Sequence, residues 1–178
     1  MKSSVVLAQS DPSMNREPEA GSRLDPQDFD TVVRLTPLVA IDLIVRSADG
    51  RVLLGRRLNE PAKGSFFVPG GRITKNETLA VAFRRVCLAE LGVATEIAQA
   101  RFLGVYEHFY RTNNREQTGF GTHYVTLGYE LTAPIPASRL PQDQHGEYAW
   151  MTEAELLGCP EVHQNTKAYF GSGHLDPA

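Results

Sequence analysis

The chain has 178 residues, 42% of them hydrophobic and 22% charged. A domain of that size buries roughly 70% of its unfolded surface without staples. A net charge of −3 gives no basic field, which excludes nucleic acid and anionic membrane as main partners. Two cysteines, Cys87 and Cys159, make no disulfide framework or zinc spacing, and no apolar run nears the roughly 18 residues of a membrane span.

The opening MKSSVVLAQS holds an apolar patch, VVLA, too short for a secretory signal, so the expected compartment is the cytoplasm. Residues 1–24 are polar and turn-rich and read as a disordered tail, ahead of a single domain over 25–178. Asp25-Pro26 predicts a helix start, with Asp25 as cap. PLVAIDLIVRS and RVLLGRR, joined through Asp49-Gly50, predict a hairpin. SFFVPGG reads as a short strand that stops at a Pro-Gly-Gly break. Thr74 and Glu77 have capping-box spacing, so a helix is expected from Lys75 to Leu91, stopped by Gly92. ARFLGVYEHFYR and GTHYVTLGYEL predict two strands around the polar loop TNNREQTGF, which bears on selectivity. A Pro-rich connection carrying Gln144 and His145 leads to a brief strand, EYAWMT, and to helices at TEAELLG and NTKAYFG.

On a wheel of about 100° per residue, Glu90 falls about 20° from Leu79, inside the apolar stripe with Phe83 and Val86. Either it rotates to solvent at the helix end, or it is buried and must be paired, neutralised or metal-bound. Gly70-Gly71 lets a backbone carbonyl approach a cation. A magnesium ion takes few protein oxygens and completes its shell with water and substrate phosphate. Asp42 raises a similar question, since a carboxylate inside LVAIDLIV is costly without a partner unless its strand face is polar.

Gly71, Glu77, Arg85, Glu90, Gly92 and Val93 follow the pattern G-x5-E-x7-R-E-U-x-E-E-x-G-U, in which U is aliphatic. The chain thereby resembles the Nudix superfamily, which implies an α/β fold, a Nudix α/β/α sandwich with a mixed β-sheet. Val86 and Ala89 stand at two positions where that pattern carries acids. The depleted box, with LLGRR, GVYEHFY, THYVTLGYEL, LPQDQHGEYAWMT and VHQNTKAYF, is similar to the GDP-mannose mannosyl hydrolase branch.

That resemblance implies hydrolysis of GDP-mannose, and of GDP-glucose, at the anomeric carbon with inversion, by a homodimer that uses Mg²⁺ or Mn²⁺. It places Gly70, Glu90 and Gln144 on the metal, and His145 as the base, reaching water from its loop; the alternative for His145 is a solvated loop histidine. Arg57, Arg72 and Arg85 handle phosphate or hold the site's charges, and Tyr124 lies near the leaving diphosphate. Asp42 and His108 belong to the sugar end, and Phe29 stacks on guanine. Arg56, next to Arg57, is expected on the opposite strand face. Two other readings use the same residues. One is a nucleotide diphosphatase attacking phosphorus, with Glu77 or a distant acid as base. The other is a nucleotide-sugar binding module without chemistry.

Overall fold

The computed structural model describes residues 24–132, 135, 140–141 and 145–171. The expected tail, apart from Leu24, and Gln144 lie outside the described residues. Helix α1 runs Pro26–Leu35, and the Asp25 side chain accepts from the backbone N–H groups of Gln27 and Asp28. The strands are β1 (Leu38–Arg46), β2 (Val52–Arg57), β3 (Phe66–Phe67), β4 (Gly70–Arg72), β5 (Arg101–Tyr110), β6 (Thr122–Thr132) and β7 (His145–Met151). Helices α2 (Leu79–Leu91), α3 (Glu153–Gly158) and α4 (Gln164–Lys167) complete the order.

One mixed sheet carries all seven strands, in the order β3-β2-β1-β6-β5, with β4 on β1 and β7 on β2. The long central contact is parallel, β1 on β6, from Leu38↔Tyr124 to Arg46↔Thr132. The β1–β2 hairpin pairs only at its base, Arg46↔Val52, and then splays. Beyond that point β1 takes β4 as partner and β2 takes β7. A cleft opens between the two ladders.

Each sheet face carries its own core. Ile41, Leu43 and Val45 of β1 pack with Phe83, Val86, Cys87 and Leu91 of α2. Ile44, Val52 and Leu54 pack on the other side with Phe66, Val68, Leu156 and Tyr169. The alternation along β1 sends successive side chains to the two layers, so both faces of the strand are buried and it reads as continuously apolar. Burial pushes the Cys87 thiol up to about 12, as expected for an inert core cysteine. Among the described residues, no helix is long and apolar enough to cross a membrane.

Three local expectations need correction. Helix α2 starts at Leu79 with Thr78 as its cap, four residues later than the Thr74–Glu77 spacing suggested. Asn76 adopts a left-handed backbone, φ 68°, and the Glu77 carboxylate is committed to Arg85 as well as to the Thr74 N–H. Second, Gly70 and Gly71 do not end a strand; they form β4, hydrogen-bonded to β1. Third, His145 is no loop residue: it opens β7, opposite Arg57 across a bulge in β2.

Candidate active site

The cleft encloses about 320 Å³. Strand pairing explains its walls. Asp42 sits between two glycines in register, Gly70 of β4 and Gly128 of β6. Tyr124 and His108 face each other across β6 and β5. All of these except Gly128 line the cleft, together with Arg57, Arg72, Arg85 and Glu90.

The phosphate-seeking groups differ in what already holds them. Arg57 lies over the Phe67 ring at 5.8 Å, and its Nε is buried with no hydrogen-bond partner among the described residues. A buried guanidinium nitrogen left in that state is suited to an incoming anion. Arg72 stacks 4.2 Å above Phe29 of α1. The ring expected to stack on guanine therefore already has the Arg72 guanidinium against one face. Arg85, of the two roles expected for it, shows the holding of charge. Its Nε and one terminal nitrogen bind the two Glu77 oxygens at 2.5 and 2.8 Å, and that terminal nitrogen also reaches the Arg72 carbonyl at 2.7 Å. Arg85 touches the cleft but is chiefly a clamp between the β4 end and the foot of α2. Arg56 points to the opposite strand face, as expected, where Glu147 and Glu161 bind it.

The clamp has a consequence for acid stability. The Glu77 side chain is 1% exposed, and the bond to Arg85 holds its carboxyl at about 2, against an ordinary 4.5. A depressed folded value contributes stability that is fully present above 4.5 and lost as pH falls through 2. Allowing for solvent at the half-exposed Arg85, the contribution is on the order of 2 kcal/mol. Glu77→Gln should therefore be less stable than wild type at pH 7 in urea titrations followed by circular dichroism. The two curves should converge as pH drops towards about 2.

Glu90 is 4% exposed, so the buried alternative holds, and the α2 stripe does carry a charge inwards. Its Oε2 lies 3.3 Å from Nε2 of His145, which is also 4% exposed. The ring of His145 rests on Gly55, where a Cβ would stand 2.4 Å from Nδ1. His145 thus stands behind Glu90 rather than in solvent, with Nε2 turned towards the cleft and Nδ1 towards β2. Val86 and Ala89 line the same cleft, at the two positions without acids.

Gly70 and Glu90 line the same cleft. Gly70 brings bare backbone against Asp42: a Cβ there would lie 2.4 Å from Oδ1 and 2.7 Å from the Ile41 carbonyl. Among the described residues, no three His, Cys, Asp or Glu side chains gather to hold a metal. A cation here therefore needs backbone and substrate oxygens beside Glu90.

At the other end, the Tyr169 hydroxyl donates to Asp42 Oδ2 at 2.7 Å and lies 3.4 Å from His108 Nε2. Thr126 Oγ1 approaches His108 Nδ1 at 3.4 Å. Burial raises the Asp42 carboxyl to about 7, opposed by the Tyr169 bond and the Arg57 charge. Burial lowers His108 to about 4, which keeps it neutral. The 111–121 loop is organised by buried Asn113, which bonds four backbone groups. Gln117 and Arg115 of that loop both reach Asp30 of α1, at 2.6 and 3.3 Å.

Helices on both faces of a mixed sheet, with a Glu77–Arg85 clamp fixing a strand to the helix that carries the acid, define a Nudix-type hydrolase. The NUDIX domain model matches residues 36–170, and the chain belongs to that family. It is similar to the low-salt glycan biosynthesis protein Agl8 of Haloferax volcanii, with 42% identity over 118 residues, 66% of this chain and 73% of that protein. An ADP-ribose pyrophosphatase of Methanocaldococcus jannaschii is 39% identical over 72 residues, 40% of this chain and 41% of that one. Among solved structures, a MutT NUDIX hydrolase from Burkholderia pseudomallei superposes with a TM-score of 0.60 at 27% identity, covering 75% of this chain and 95% of that chain. Nudix hydrolases generally use divalent metal ions.

Proposed function

We propose that the chain hydrolyses a GDP-hexose, GDP-mannose foremost and GDP-glucose as well, at the anomeric carbon, releasing GDP and free sugar with inversion. The observation that carries this reading is the makeup of the α2 wall, where an isopropyl group (Val86) and a methyl group (Ala89) accompany a single acid, Glu90, in the cleft. Such a wall cannot gather the carboxylates that attack at phosphorus requires. Attack at carbon needs less: charge compensation on the departing diphosphate, and one base on the opposite side of the sugar.

In this reading each residue keeps the role that the resemblance implies. Arg57 and Arg72 grip the diphosphate and Tyr124 contacts it, while Arg85 holds Arg72's strand to α2. Asp42 and His108 receive the sugar hydroxyls. Gly70, Glu90 and Gln144 would hold a magnesium ion, for which manganese substitutes. When bound, that ion compensates charge on the leaving GDP. His145 takes the proton of the attacking water at Nε2, and its present contact with Glu90 must part for this to occur. The water oxygen bonds to the anomeric carbon, the C–O bond to phosphate breaks, and GDP departs with the electron pair.

Attack at phosphorus is the second reading, favoured by the pyrophosphatase relative. Glu77, its nearest candidate base, has a side chain 1% exposed and bound by both oxygens to Arg85, which suits a clamp and not a base. The name of the Haloferax relative, a glycan biosynthesis protein, agrees with a sugar substrate. The cytoplasm, where nucleotide sugars are made, and a homodimer belong to the same reading. Phe102, Val105 and Phe109 stand exposed on edge strand β5, which supports association. Turnover of GDP-mannose in ¹⁸O-water decides between carbon and phosphorus. The expected label is in mannose, beside unlabelled GDP; label in a phosphate group overturns the proposal.

A further inference from the structure

Among the described residues, Asp42 is the one acid that a strand carries into the cleft, and its surroundings fix it closely. On one side Gly70 has no Cβ, and one there would lie 2.4 Å from Oδ1. Gly128, its register partner on the other side, makes room for two rings: a Cβ there would lie 2.9 Å from Tyr106 and 3.2 Å from Tyr169. Tyr106 and Tyr169 pack edge to face at 4.4 Å between centroids. Tyr169 is 4% exposed and does not line the cleft, yet its hydroxyl meets both polar groups of the cleft's sugar end. Tyr169 donates to Asp42 Oδ2, and its oxygen lies within 3.4 Å of His108 Nε2, whose Nδ1 lies 3.4 Å from Thr126 Oγ1.

We propose that Tyr169 is a positioning residue for sugar recognition. By bridging Asp42 Oδ2 and His108 Nε2, it keeps Asp42 Oδ1 and the His108 ring turned to meet the hexose hydroxyls. This rests on the reading above in taking that end of the cleft for the sugar. A tyrosine that merely filled the core would support the fold without affecting which sugar is read.

The test uses Tyr169→Phe, Asp42→Asn and the double variant of the full chain. The ring and its packing survive in Tyr169→Phe, so the melting temperature should stay within a few degrees. Affinity for GDP should be unchanged, while affinity for GDP-mannose and its kcat/KM should fall about tenfold, the effect of one buried hydrogen bond. The preference for GDP-mannose over GDP-glucose should shrink. In the Asp42→Asn background, Tyr169→Phe should cost less than about twofold more, because the hydroxyl acts through Asp42. Additive losses, or equal loss of GDP and GDP-mannose affinity, overturn the proposal. Should Tyr169→Phe not fold, 3-fluorotyrosine at 169 must change GDP-mannose affinity at least about threefold relative to GDP; no change overturns it as well. A wild-type chain that binds GDP-mannose but releases no free sugar defeats the proposed reaction alone, since the binding arms still report on Tyr169.

Discussion

Glu90→Gln should abolish metal-supported turnover, lowering kcat by on the order of 10³-fold. The substitution keeps shape and hydrogen bonding and removes one charge. That charge is the only acid α2 presents to the cleft, between an alanine and a valine. An ordinary member with several acids would redistribute the cation; here no neighbour on the helix can take over. Direct binding gives the cleaner readout. Manganese titrated into the variant and followed by electron paramagnetic resonance should show binding at least tenfold weaker than in wild type. The fold should not suffer, because a buried carboxylate is itself expensive and the amide costs less to bury. An unchanged manganese affinity with a large drop in melting temperature would mean that Glu90 serves only to pair with His145.

His145→Gln should lower kcat by roughly 10²- to 10⁴-fold, the usual range for losing a general base. KM for GDP-mannose should stay within about threefold, because His145 stands behind Glu90 rather than on the cleft wall. Glutamine can still donate to Glu90, so pairing of the buried acid survives and metal affinity should be little altered. If kcat and substrate affinity fall together, the histidine serves the architecture around Gly55 and not the proton transfer.

Much of this site could be read before any coordinates. Glu90 was legible because 3.6-residue periodicity alone places it among Phe83 and Val86, whatever the rest of the chain does. Asp42 was legible because an acid in an otherwise apolar strand has few places to go. The start of α2 was misread because Thr74 and Glu77 satisfy a local rule, while the partner that captures Glu77 lies eight residues on, at Arg85. His145 looked like a loop residue in a polar stretch, QHGE. Its burial depends on pairing with β2 and on the bare face of Gly55, a contact between segments about ninety residues apart. Tyr169 gave no signal, since an aromatic near a chain end ordinarily just packs. Only the meeting of its hydroxyl with Asp42 distinguishes it. Phe29 and Arg72 are similar: each was noticed for the ligand, and neither pattern revealed that they meet each other.

The early parting of β1 and β2 divides the groups of the reaction between two leaves of the sheet. Arg57 and His145 ride on the β2–β7 leaf, and Asp42, Arg72, Tyr124 and His108 ride on the leaf of β1, β4, β6 and β5. The leaves share a spine at Arg46 and Val52, far from the mouth. The angle between the leaves therefore sets both the distance from Arg57 to Arg72 and that from His145 to Glu90, with no strand ladder crossing between them above the spine.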